Sequence, residues 1–78
     1  MMVRAYVFIT ARKAEERQVA DAIGEFPTVK AAHVITGNID VVAFIESADL
    51  AALWDTVNQI QAIPGVTRTT TSVVVEPL

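Results

Sequence analysis

Ile23, Phe26, Pro27 and Val29 recur as Ile60, Ile63, Pro64 and Val66, each displaced by 37 residues. The repeat is short, but it falls where it constrains the fold most. In each copy, apolar residues at helical spacing run into a proline, which cannot continue a helix, and a valine then opens an extended run. Each half of the chain is therefore expected to form a βαβ unit with a right-handed crossover.

The local patterns agree with this division. Val3, Ala5, Val7 and Ile9 alternate with Arg4, Tyr6, Phe8 and Thr10, the two-residue period of a strand over about residues 3–10. Val19, Ile23 and Phe26 then recur at helical spacing beside Ala20 and Ala22, with Glu15 and Glu16 ahead of them, predicting a helix over about 13–25 that Pro27 stops. Val29 to Thr36 is extended again. Gly37-Asn38 separates it from the run Ile39 to Ile45, which is a two-residue hairpin signal with glycine supplying a positive φ. Ser47 or Asp49 is placed to cap a second helix marked by Leu50, Leu53, Trp54, Val57 and Ile60, with Trp54 expected in the core. Pro64-Gly65 ends that helix, and a last strand runs from Val66 to about Glu76. These elements predict the α+β class and a ferredoxin-like βαββαβ (split βαβ) fold: a four-stranded antiparallel sheet with both helices on one face. Residues 1–78 are expected to form a single stand-alone domain, near the lower size at which one core suffices.

The sheet carries more apolar surface than two helices can cover. The chain is 53% hydrophobic and 19% charged, although so small a domain exposes a large share of its surface. Ile39, Val41, Ala43 and Ile45 form one row of the third strand and Val42 and Phe44 the other; Tyr6, Phe8, Val34 and Val74 add to the second face elsewhere. An antiparallel sheet with one solvated face alternates cleanly, so this pattern predicts a second cover. No third helix is available, and another copy of the same sheet is the expected occupant. The alternative is a twisted monomeric sheet with an exposed apolar face.

Charge and composition exclude several classes. Six Lys and Arg against nine Asp and Glu give a net charge of -3, and the cations Arg4, Arg12, Lys13, Arg17, Lys30 and Arg68 are scattered, so no direct nucleic-acid binding is expected. The apolar run from Ala5 to Ala11 is too short for a membrane span or a signal core, which points to a cytoplasmic protein without a membrane partner. The absence of cysteine removes disulfides and thiolate metal sites. His33 is the only histidine, and a metal site needs three or four ligands. Ser47 and Ser72 stand in no nucleophile motif. No catalytic residue, metal or cofactor is expected. The one conceivable acid–base pair, His33 with Asp40, is separated by the hairpin.

Two polar segments remain, Thr36-Gly37-Asn38-Ile39-Asp40 and Thr67 to Ser72. Together with Ala5-Tyr6-Val7-Phe8-Ile9, Val29 with Ala32 and Val34, Pro64-Gly65-Val66, and Thr69-x-Thr71-x-Val73-Val74, they make the chain resemble the effector domain of the Lrp/AsnC family, the regulation-of-amino-acid-metabolism domain, over nearly its whole length. The likeness is to stand-alone members lacking the helix-turn-helix half. It implies dimers formed by packing sheets face to face, rings of dimers, and an amino acid bound where dimers meet. A full-length Lrp/AsnC regulator is a further implied partner, through mixed assembly.

By position, the resemblance assigns ligand contacts to Thr36, Gly37, Asn38 and Asp40 and to Thr69, Thr70 and Thr71. In that assignment Asp40 accepts from the ligand ammonium, while threonine hydroxyls and hairpin N–H groups donate to its carboxylate. Gly37 and Asn38 also suit any tight hairpin, Asp40 any turn, and the threonines any strand. Ile39 stands where many members carry an aromatic residue, often tyrosine, so side-chain selectivity is expected to differ. Two other functions share the topology, a small dimeric α+β barrel enzyme and a purely structural homo-oligomer.

Overall fold

The computed structural model describes residues 2–75 and contains six elements: β1 (Val3–Ala11), α1 (Glu16–Ile23), β2 (Val29–Val34), β3 (Val41–Ser47), α2 (Leu50–Gln61) and β4 (Val66–Val73). The strands form one antiparallel sheet in the order β2-β3-β1-β4, the split βαβ arrangement. β3 and β1 occupy the centre, and their inward rows Val41, Ala43, Ile45 and Ala5, Val7, Ile9 are wholly buried beneath Val19 and Ile23 of α1 and Leu53 and Ile60 of α2.

The 37-residue repeat is present as matched hydrogen bonds. Phe26 N–H donates to the Ile23 carbonyl (3.2 Å) and Val29 N–H to that of Phe26 (3.0 Å); Ile63 donates to Ile60 (3.1 Å) and Val66 to Ile63 (3.1 Å). The repeat extends further than its apolar residues. Each edge strand opens with a bulge, at Lys30 in β2 and at Thr67 in β4, where the pairing skips one residue. Bulges increase local twist and leave the extra residue unpaired. Here they bend both edges at equivalent points.

The structure departs from the sequence-based expectations in five places. First, α1 spans Glu16–Ile23, not 13–25, because Ala14 takes a left-handed φ of 70° that no helix accommodates. Second, β2 and β3 are joined by the six-residue loop Ile35–Asp40, not by a two-residue turn, although Gly37 does have a positive φ of 106°. Ile39 therefore lies before β3 instead of in its buried row. Third, Val34 pairs with Val41 and so belongs to the helix-side rows. Fourth, Trp54 is 44% and Leu50 49% exposed. The stripe that packs is Leu53, Thr56, Val57 and Ile60, and Trp54 lies on the flank that Gln61 shares, over β4, the last strand of the sheet. Fifth, β4 ends at Val73; the expected terminus at Glu76 lies outside the described residues. Of the two expected cap residues, Asp49 caps α2, accepting from the Ala52 N–H at 2.8 Å.

Candidate ligand site and the open sheet face

Both helices pack on one side of the sheet. The other side displays Arg4, Tyr6, Phe8 and Thr10 of β1, and register aligns Tyr6 with Phe44 and Ser72, Phe8 with Val42 and Thr70, and Arg4 with Glu46. From β2, Ala31 stands beside Phe44 and His33 beside Val42. At its centre is an apolar patch of Tyr6, Phe8, Val42 and Phe44. The Tyr6 and Phe44 rings lie 5.0 Å apart, and Tyr6 is 45% exposed. On its rim, Arg4 Nε donates to Glu46 Oε2 at 2.7 Å, so the two charges nearest the patch already satisfy each other.

The β2–β3 loop lies at one end of this sheet and is tied down by Asp40. The Asp40 N–H donates to the Ile9 carbonyl (3.0 Å), its Oδ2 accepts from the Ala11 N–H (2.7 Å), and its carbonyl accepts from Ile35 N–H (2.9 Å). These bonds explain the long loop, because Asp40 completes the end of β1 instead of continuing β3. A carboxylate retains acceptor positions after one such bond. Thr36, Gly37 and Asn38 are exposed on the loop beyond it.

The β4 half of the expected site reaches the same end of the sheet from the other side of β1, where Ile9 pairs with both Val41 and Thr69. Strand alternation separates its three threonines. Thr70 stands on the open face opposite Phe8, whereas Thr69 and Thr71 align with the buried Ile9 and Val7. Thr69 Oγ1 accepts from Gln61 Nε2 at 2.9 Å, and Thr67 Oγ1 donates to the Thr10 carbonyl at 3.1 Å. Within one chain, the loop residues and the threonines flank β1 without closing a common pocket. His33 stands opposite Val42, two register steps from Asp40, whose carboxylate is held by Ala11.

The pattern reading missed Gln61 and gave no ligand contact to Thr67 and Arg68 of its second polar segment; with Val66 and Thr69 these line a groove of about 270 Å³ between the end of α2 and the start of β4. The sequence signal for it was the repeat itself, which places these residues opposite Gly24, Lys30 and Ala31 of the first half. Among the described residues no cluster of His, Asp or Glu is arranged to hold a metal ion, and no helix is long and apolar enough to cross a membrane.

Residues 4–78 match the family model of the Lrp/AsnC ligand binding domain. The chain belongs to that family. No curated protein sequence matches it. Among solved structures, this Lrp/AsnC domain is similar to TTHA0845 from Thermus thermophilus, at 32% identity and a TM-score of 0.93 over 97% of this chain and 96% of that one. It is likewise similar to the hypothetical protein PHS023 from Pyrococcus horikoshii, at 25% identity and a TM-score of 0.88 over 96% of this chain and 92% of that one. The transcriptional regulator NMB0573 from Neisseria meningitidis, solved as an L-Met complex, shares the fold at 23% identity and a TM-score of 0.82, over 95% of this chain and 50% of the regulator.

Proposed function

We propose that this Lrp/AsnC domain is an effector-binding and assembly module. Its open sheet face packs on that of a second copy, and a free amino acid binds where such dimers meet. The observation that carries the proposal is the uncovered patch of Tyr6, Phe8, Val42 and Phe44, which lies on a sheet whose helices are both spent on the other side. Removing apolar surface from water is worth about 25 cal/mol per Å², so covering several hundred Å² on each copy is a large term for a chain of this size. The rim charges Arg4 and Glu46 are paired with each other at 2.7 Å, so neither is left without a partner when the face is covered.

The ligand reading rests on family membership and on where the loop and β4 lie. Thr36, Gly37, Asn38 and Asp40 on one side of β1, and Thr69, Thr70 and Thr71 on the other, supply donors and a carboxylate at one sheet end. Because one chain leaves them apart, a neighbouring copy completes the site. In this reading residues 1–78 work as one domain, as expected from the similar length of the Thermus relative, and the role is regulatory and not catalytic. The cytoplasm is the proposed location, and a longer Lrp/AsnC regulator is a further proposed partner.

The test is a thermal-shift screen of the twenty amino acids. A ligand that binds only the folded state raises stability by RT ln(1 + [L]/Kd). At least one amino acid is expected to raise Tm, and Asp40→Ala is expected to abolish that rise. No shift from any of them at millimolar concentration overturns the effector reading.

A further inference from the structure

The 37-residue repeat makes two grooves on one scaffold. Gly24, Val29, Lys30, Ala31 and Ala32 line the one between α1 and β2, and Gln61, Val66, Thr67, Arg68 and Thr69 occupy the equivalent positions between α2 and β4. The first groove has a volume of about 580 Å³ and the second about 270 Å³. The side chains account for the difference. Where the first half has glycine and alanine, the second has Gln61 donating to Thr69 across the groove at 2.9 Å.

Their chemistry diverges as sharply as their size. The α1–β2 groove carries Asp21 and Glu25, and its one cation, Lys30, donates to the Pro27 carbonyl at 3.1 Å. The α2–β4 groove has no carboxylate on its walls. Thr67 Oγ1 is held by Thr10 and Gln61 donates to Thr69, and Arg68 is the one charged residue among the described residues lining the groove. Arg68 takes part in no ion pair among the described residues, and its backbone carbonyl accepts from Thr10 Oγ1 at 3.5 Å, so the main chain beneath it is anchored.

We propose that Arg68, which pairs with Thr10 and so stands with Thr70 on the open face at the sheet end, receives the carboxylate of the small molecule this domain binds. The proposal deepens the effector reading and uses its location, because Thr69 belongs to both sites. It also changes the division of labour within that reading: the carboxylate goes to Arg68, a charged donor, and not to the threonine hydroxyls. A planar guanidinium binds a carboxylate through two parallel hydrogen bonds, which a hydroxyl cannot do. A zwitterion would then span the sheet end, with its carboxylate at Arg68 and its ammonium toward Asp40.

The test maps amide and Arg68 Nε–H resonances by NMR while the protein is titrated with sodium acetate, L-methionine or L-methioninamide at constant ionic strength set with chloride. Acetate and L-methionine are expected to shift Arg68 Nε–H and the Thr67 and Thr69 amides. Methioninamide, which lacks the carboxylate, leaves them in place. Arg68→Gln weakens L-methionine roughly ten-fold or more, as for loss of a charge-assisted pair, and Arg68→Lys recovers part of that. Shifts that chloride alone reproduces, shifts confined to other residues, or equal affinity in Arg68→Gln each overturn the proposal. Acetate shifts at Arg68 without any amino-acid binding would uphold the carboxylate site while removing the effector reading, so the two failures are distinct.

Discussion

The two faces of the sheet are made by the same alternating strands, yet they meet opposite fates. On the helix side, Ala5, Val7, Ile9, Val41, Ala43 and Ile45 are wholly buried, whereas on the other side Tyr6, Phe8, Val42 and Phe44 keep part of their surface in water. The first face is finished by the chain itself. The second is finished only in an assembly, and the residues that frame it differ in kind: on the covered face nearly everything is aliphatic, while the open face ends in a paired Arg4 and Glu46, His33, Thr70 and Ser72. A face that is apolar at the centre and polar at its rim has the anatomy of an interface, not of a core.

Substitutions can break this comparison, beginning with the largest effect. Ile45→Ala on the covered face removes a fully buried side chain and is expected to cost about 2–5 kcal/mol in chemical denaturation. Phe44→Asp, one residue away on the open face, is expected to leave the secondary structure intact by circular dichroism. Its effect falls on association, with a self-association Kd raised about 30-fold or more, as for loss of an aromatic anchor. If Phe44→Asp unfolds the chain as Ile45→Ala does, the two faces are not distinct in role.

Two glycines sharpen the same contrast. Gly65 has φ +101°, and an added Cβ would lie 2.7 Å from Glu15 Oε1 and 3.1 Å from Val19 Cγ2, beside the covered core. Gly37 has φ +106° with open space around it. Gly37→Ala should lose about 1–2 kcal/mol from backbone strain alone. Gly65→Ala is expected to lose more, and equal losses would show that the packing beside Glu15 is slack. Smallest of all, Glu46→Gln on the rim should cost well under about 1 kcal/mol, since the Arg4 and Glu46 side chains remain 42% and 26% exposed. Any larger loss that grows with protein concentration would place the pair inside an interface.

Much of this architecture was legible in the sequence. The alternation of Val3 to Ile9 and the recurrence of Ile23, Phe26 and Val29 report local periods, and local periods set both βαβ halves. The misreadings concern groups whose positions are decided by distant partners. Asp40 looked like the second residue of β3 because nothing nearby reveals that the Ala11 amide will take its carboxylate. Trp54 fell on a helical apolar stripe, but α2 lies against the last strand, and no element beyond β4 covers its flank. The candidate site was legible only as a set of positions. Its groove, and an Arg68 with no ion pair among the described residues, appear only once α2 and β4 are placed side by side.

Sedimentation equilibrium of the wild-type chain at micromolar concentration, run beside Phe44→Asp, tests the central claim most directly. The predicted wild-type mass is that of two subunits or a multiple of two, and the variant is predicted to be a monomer. A wild-type monomer that remains folded with its Tyr6–Phe44 face in water would contradict face-to-face pairing.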